Sequence, residues 1–196
     1  MHIRTIWALV CILAHLPLSA RADDTDNKAE TEAVFASFRK YNDAMMALDE
    51  KPMAELQYTT NEGQERVSAA MIQNDLAVAR LKIAAQEKFA GDAGARVGKA
   101  IGDISNDDLA HARVDFKGNI ARISGVGGDG LVMIKDKGIW KFDLSGLGEM
   151  DEQQIQRQIA NHRARAARTD ALTDEIKAGK YESVEELIAE IPRRMN

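Results

Sequence analysis

Residues 109–144 read LAHARVDFKGNIARISGVGGDGLVMIKDKGIWKFDL and decide the fold, because no other part of the chain is typical of β-strands. The first strand alternates apolar Ala112, Val114 and Phe116 with charged residues, which predicts one buried face and one solvent-facing face. A second strand follows the turn at 118–119, and two more flank the turn at 136–138. Connections this short join antiparallel neighbours, so the sequence predicts an antiparallel meander of about four strands.

The apolar face of this meander needs a cover, and helical sequence lies on both sides of it. In the fourth strand Trp140, Phe142 and Leu144 share one face. Upstream, a helix is predicted over 28–48, with Val34, Phe38, Tyr41, Met45 and Leu48 on one stripe. The sequence therefore predicts an α+β fold in which this helix crosses a curved antiparallel sheet.

Further helices are predicted on both sides of the meander. Upstream they occupy 52–56 and 61–89, with a connector at 57–60, a short helix within 90–104 and a turn at 105–108. Downstream a long helix covers 151–178, and a final short helix begins after Ser183 and is stopped by Pro192. The predicted organisation is a signal peptide at 1–22, an α+β domain at 23–147 and a C-terminal helical arm at 148–196 packed on that domain.

The first 22 residues are typical of a secretory signal peptide. An apolar run precedes Pro17 and the small-x-small site at 20–22, and this run is too short to span a membrane. The protein is therefore predicted to be exported, either periplasmic or secreted, with no membrane span in the mature chain. Cys11 is the only cysteine, so the mature chain has no disulfide and no thiolate. The acidic balance, with a net charge of −5, disfavours nucleic-acid binding.

The last hairpin, 131–144, carries a short motif: Lys135, Gly138, Trp140, Lys141 and Asp143. With the helices that precede it, this motif resembles the NTF2-like superfamily, and within it small exported bacterial proteins of unknown function. The likeness covers about residues 28–147. The resemblance implies a cone, meaning a curved sheet wrapped around the long N-terminal helix. The superfamily includes isomerases, dehydratases and many members without catalysis, so the fold leaves the function open.

The interior of the cone is where a binding site is expected. The candidate pocket residues are Phe38, Tyr41, Met45, Trp140 and Phe142. Because these side chains are bulky, the cone is predicted to be largely filled, with at most a narrow apolar pocket near Tyr41 and the methionines. Within an enzyme of this shape His111, Asp115 or Tyr41 would be the acid or base. His111 and Asp115 share the wet face of their strand, so we interpret them as surface residues and assign no catalytic residue.

Neither a metal nor a cofactor is predicted. His162 lies on the apolar stripe of the C-terminal helix, but the positions one turn away are Gln158 and Ala166, which supply no further ligand of its kind. The glycine-rich loop 125–130 precedes a strand rather than a helix, which argues against a phosphate loop. The arginines at 157, 163, 165 and 168 are interpreted as a solvated face, with an acidic partner or anionic lipid as the alternative.

Three hypotheses for the function remain open. The first is a non-enzymatic, exported binding protein for a small apolar ligand or another envelope protein. The second is an isomerase- or dehydratase-type enzyme with an acid or base facing the cone. The third is a helical interaction module in which the C-terminal arm is the working part. The sequence also leaves a homodimer open.

Overall fold

The structure, a computed structural model, describes residues 24–126 and 130–195. The predicted signal peptide at 1–22 lies outside the described residues. Within the described part the helices are α1 (Asp24–Met46), α2 (Glu50–Glu55), α3 (Glu62–Phe89), α4 (Ala93–Ala100), α5 (Asn106–Ala110), α6 (Glu152–Lys177) and α7 (Val184–Met195). The strands are β1 (Gln57–Tyr58), β2 (Arg113–Lys117), β3 (Ile120–Ser124), β4 (Leu131–Asp136) and β5 (Ile139–Asp143). The predicted α+β class is confirmed.

Strands β2 to β5 form the predicted meander, each antiparallel to the next. The turn between β4 and β5 places Lys137 and Gly138 at φ of 50° and 83°, as a two-residue hairpin turn requires. Ile120 breaks the apolar alternation of the second strand, which predicts either a bulge or an edge-facing apolar residue, and no bulge is found. Ile120 pairs with Lys117 on one side and with Ile134 on the other, so its side chain lies on the outer face in regular register.

The prediction of a purely antiparallel sheet is wrong at one edge. Residues 57–60, expected to be a connector, contain the two-residue strand β1, which pairs parallel with β5. The backbone N–H of Phe142 donates to Leu56 O over 2.8 Å, and that of Leu144 donates to Tyr58 O over 3.0 Å. The sheet is therefore mixed, with the order β1-β5-β4-β3-β2, and it is open rather than closed. A parallel pair needs a long crossover, and α3 to β4 provide one here.

Helix α1 lies across the apolar face of the sheet, as its stripe predicted. Val34 and Phe38 are buried against a cluster from all four meander strands that includes Met133 and Trp140. Tyr41 and Met45, two turns further on, belong instead to a second cluster with α2 and α3. Phe142 contacts both clusters, so it lies where the sheet, α1 and α3 meet.

Helices α3 and α6 form the most extensive helix pair in the described structure. The apolar stripe of α6 is buried, with Ile155, Ile159, Leu172 and Ile176 each less than 8% exposed. The two helices approach closely at their N-terminal ends, where a Cβ on Gly63 would lie 2.6 Å from Ile155 Cδ1. The C-terminal helices are therefore packed on the rest of the molecule. The division of the chain into a domain and an arm stays a prediction.

Two local predictions near helix ends are wrong, for related reasons. Residues 105–108, expected to be a turn, begin α5, because Ser105 and Asp108 form a capping box and the helix is anchored by buried Leu109. Pro192 does not stop α7, which continues to Met195. Ile191 is buried in the core of α4, α6 and α7, and this tertiary packing holds the last turn although proline cannot donate a backbone hydrogen bond.

Candidate functional site

A pocket of about 270 Å³ opens between α1, α3 and β5. Four of the five candidate residues line it: Phe38, Tyr41, Met45 and Phe142. The rings of Tyr41 and Phe142 pack edge to face with centroids 4.8 Å apart, and those of Phe38 and Phe142 are tilted at 59° with centroids 5.8 Å apart. The pocket lies near Tyr41 and one methionine, where the sequence predicted it.

Trp140 is not part of this pocket. It is 2% exposed, and its indole N–H donates to Glu30 Oε2 over 3.0 Å. Glu30 Oε1 accepts from Lys135 Nζ over 2.6 Å, and the hydrogen bonds from Lys135 and Trp140 hold the pKa of Glu30 below its usual range. Trp140 and Glu30 thus tie the first turns of α1 to the sheet, beside a separate surface cavity of about 610 Å³.

The polar wall of the pocket is a carboxyl that sequence reasoning missed. Asp75, on α3, accepts a hydrogen bond from the Tyr41 hydroxyl over 2.7 Å. Tyr41 in turn accepts from Gln57 Nε2 over 3.3 Å, and Gln57 Oε1 accepts from the Ser68 hydroxyl. Strand β1, α1 and α3 are joined by this chain of polar side chains, which fixes the position of the Asp75 carboxyl.

The surroundings of Asp75 disfavour the ionised form of its carboxyl. Burial raises the pKa of its carboxyl, and the charge of Asp103 raises it further. The hydrogen bonds from Tyr41 and Asn74, and the charge of Arg165 on α6, act in the opposite direction. Burial and the neighbouring Asp75 charge likewise raise the pKa of Tyr41. The hydroxyl of Tyr41 therefore stays protonated and remains a donor to Asp75.

Asn74 adds an unusual feature to the same wall. The residue is 8% exposed, and its Nδ2 donates to Asp75 Oδ1 over 3.3 Å. Its carbonyl oxygen Oδ1 is buried and has no hydrogen-bond partner among the described residues. Most buried polar atoms are paired, so an unpaired acceptor next to a buried carboxyl points to a site that is incomplete by itself.

The sequence held a signal for Asp75, although it was not used. Helix α3 carries two apolar stripes, and position 75 falls between Met71 and Val78 of one stripe and Ile72 and Ala79 of the other. An ionisable residue enclosed by two buried stripes is expected to be buried with them.

The other candidate residues are less suited to catalysis or metal binding. His111 and Asp115 are exposed, as the sequence indicated, and His111 precedes β2 rather than lying on it. His162 is partly buried on α6, and burial, with a further contribution from Arg165, lowers the pKa of its imidazole. Among the described residues no group of three or more His, Cys, Asp or Glu side chains is placed to hold a metal ion.

A larger groove of about 770 Å³ adjoins the pocket, between α1, α3, α4 and α5. Asn42, Met45, Asp103 and Ile104 line both. At their boundary Asp103 forms an ion pair with Lys82, each side chain being less than 20% exposed. This pair neutralises Asp103 locally, whereas Asp75 forms no ion pair within the described chain.

Comparison with known proteins finds no match to the chain among protein-family models, curated proteins or solved structures. None of the helices in 24–126 and 130–195 is both long enough and apolar enough to cross a membrane. The pocket itself is thus the starting point for a function.

Proposed function

We propose that the protein is an exported, non-enzymatic binding protein of the NTF2-like type, whose pocket between α1, α3 and β5 takes a small apolar ligand. The NTF2-like assignment is supported by the meander with α1 across its apolar face. Export, to the periplasm or beyond, is supported by the signal-peptide pattern at 1–22. Binding of another envelope protein remains the alternative within this hypothesis.

One observation carries the proposal: the pocket of about 270 Å³ with a wall of three aromatic rings. Ligand sites are concave and mostly apolar, with a few polar groups that orient the ligand. Here Phe38, Met45 and Phe142 supply the apolar wall, and Asp75 and Asn74 supply the polar groups. The size suits a ligand of one ring or a short branched chain.

Toluene is a suitable probe, because it carries no polar group and matches the aromatic wall. We expect saturable shifts of the Met45 methyl signal in NMR titrations with toluene. Phe142→Ala should weaken binding, because the ring is part of the wall. Phe116→Ala is the matched control, since Phe116 lies on the same face of the sheet but packs on Trp140 outside the pocket.

The proposal fails if toluene gives no saturable shift of Met45, or if the two variants weaken binding equally. Equal losses would show that the weaker binding comes from general loosening of the sheet rather than from a change in the pocket.

The third hypothesis, a helical interaction module, needs an exposed apolar stripe on α6. That stripe is buried on α3.

A second candidate, an acid–base enzyme, is favoured by Asp75 alone. A carboxyl with a raised pKa, beside a protonated Tyr41 and apolar walls, is typical of a general acid or base. Deuterium exchange of the α-protons of cyclohexanone in D₂O tests it without knowledge of the substrate. Catalysed exchange that is lost in Asp75→Asn would support this candidate, and exchange at the buffer rate would exclude proton abstraction from this probe.

A further inference from the structure

We propose that the natural ligand of the pocket is an organic ammonium ion, with its charged head group against Asp75 and its apolar body against the aromatic wall. This inference rests on the proposed ligand-binding function and specifies the class of ligand. Three independent features of the site support it: the unbalanced carboxyl, the aromatic rings and the unpaired acceptor.

The carboxyl of Asp75 lacks a counter-charge. Its two hydrogen-bond donors, the Tyr41 hydroxyl and the Asn74 amide, are neutral groups. Of the cations near it, Lys82 is paired with Asp103, and Arg165 of α6 lines the same pocket and lowers the pKa of Asp75 through its charge, but forms no ion pair with it. A buried carboxylate is costly unless a cation accompanies it, and a cationic ligand would supply that cation.

The aromatic wall of the pocket also favours a cationic ligand. Aromatic ring faces attract ammonium groups within about 6 Å of the ring centroid. Phe38, Tyr41 and Phe142 line the pocket together, and their rings are tilted by about 60° to one another, so they do not cover each other face to face. A site with one carboxyl and several rings discriminates an ammonium from both an anion and a neutral hydrocarbon.

The hydrogen-bonding inventory points the same way. An ammonium group carries several donors and no acceptor. The wall offers the Asp75 carboxylate and, beside it, the unpartnered carbonyl oxygen of Asn74, both of which are acceptors. Both residues line the pocket. A carboxylate head group carries no donor and would repel the Asp75 carboxylate.

The proposal has a defined proton balance. Where Asp75 is protonated in the empty protein, binding of the ammonium breaks its O–H bond, releases one proton to solvent and leaves an ammonium–carboxylate pair. Affinity therefore falls as the pH falls below the pKa of Asp75, approaching tenfold per pH unit. The groups that face Asp75 are Tyr41 and Asn74, which donate hydrogen bonds to it, and Asp103 and Arg165, which line the same pocket; Asp103 is itself paired with Lys82.

The test compares benzylammonium, benzyl alcohol and toluene, which share one ring and differ in the head group. Calorimetry on the purified protein should give an affinity for benzylammonium at least about tenfold above that for either neutral probe. Asp75→Asn should remove this preference and leave toluene binding intact. Asp174→Asn, an exposed residue of α6, is the matched control and should keep the preference.

Each outcome decides between the two proposals. If all three probes bind equally, the pocket binds ligands but the ammonium inference is wrong. If none binds, the proposed function itself fails. If Asp75→Asn does not fold, the pH series on the unaltered protein still decides: benzylammonium affinity should fall as the pH is lowered through the pKa of Asp75, while toluene affinity stays constant. A pH-independent affinity for benzylammonium would overturn the inference.

Discussion

Replacing Asp75 by asparagine should make the protein relatively more stable as the pH rises. Asparagine has nearly the same shape, and its Oδ1 can still accept from Tyr41. After a half-turn of its amide, Asn74 could use its unpaired carbonyl oxygen to accept from the new side-chain NH₂. The variant therefore keeps the hydrogen bonds of the site and removes only the group that must ionise in a buried place.

The sign follows from the raised pKa of Asp75 in the folded protein. A group of this kind contributes stability below its unfolded pKa, about 3.9 for aspartate, and this contribution is lost as the pH rises through the folded pKa. In the variant this pH-dependent contribution to the free energy of unfolding is absent. The free energy of unfolding of Asp75→Asn, relative to the unaltered protein, should rise with pH by at most about 1.4 kcal/mol per pH unit for one proton, then level off.

Urea unfolding followed by far-UV circular dichroism at intervals from pH 4 to pH 8 measures this difference. Other carboxyls with shifted pKa values, such as Glu152 and Glu30, are present in both proteins, so their contributions to the difference in unfolding free energy cancel. Asp174→Asn, at an exposed position of α6, is the control for the loss of one carboxyl. A difference for Asp75→Asn that is constant, or that falls with pH, would show that Asp75 is stabilised as a carboxylate and would refute this reasoning.

Three further predictions concern other parts of the molecule. Leu172→Ala should lower the free energy of unfolding by about 2–5 kcal/mol, because Leu172 is fully buried between α3 and α6; a loss below about 1 kcal/mol in urea unfolding would show that α6 is not held there. Lys137→Asn should stabilise by about 0.5–1 kcal/mol, since asparagine before Gly138 suits the positive φ of this turn; the same unfolding assay should show a higher midpoint, and an unchanged or lower one contradicts the turn geometry. The Glu152 carboxyl should titrate by NMR with a pKa of about 2, because Arg66 donates two hydrogen bonds to it; Arg66→Gln should return the pKa toward its usual range.

The main elements could be predicted because their signals are local. The stripe that contains Val34 and Phe38 repeats at the helical period, and the alternation around Val114 and Phe116 has the period of a strand. The N-cap of α3 is equally local, since the Asn61 side chain accepts from Gln64 N, three positions further on, over 2.9 Å. Such patterns need no knowledge of the tertiary structure.

The features that were missed depend on contacts between distant residues. Strand β1 has only two residues, and it exists because Gln57 and Tyr58 meet Phe142 and Asp143, 85 positions further on. Burial of Ile191 in the core formed by α4, α6 and α7 overrides the local effect of Pro192. The separation of Trp140 from the pocket also follows from tertiary contacts, because its partner Glu30 lies on the first turns of α1.

The site was predicted in its apolar half and missed in its polar half. Phe38, Tyr41, Met45 and Phe142 were found because large side chains on facing stripes must meet. Asp75 was overlooked because a charged residue on a helix is normally assigned to the surface, although the apolar stripes on both sides of it indicated burial.

The position of α3 between two cores has a consequence for biosynthesis. One side of α3 packs on α1, α2 and the sheet, while the other packs on α6 and α4, so both sides are apolar. Residues 152–177 leave the ribosome long after α3, and until then part of the α3 surface has no partner. The nascent chain therefore exposes an apolar helix face until α6 has been made, and we expect holding chaperones to bind it during that interval. A product that ends before Leu172 would never acquire the missing cover, so C-terminal truncation should send the chain to proteolysis rather than yield a smaller folded protein.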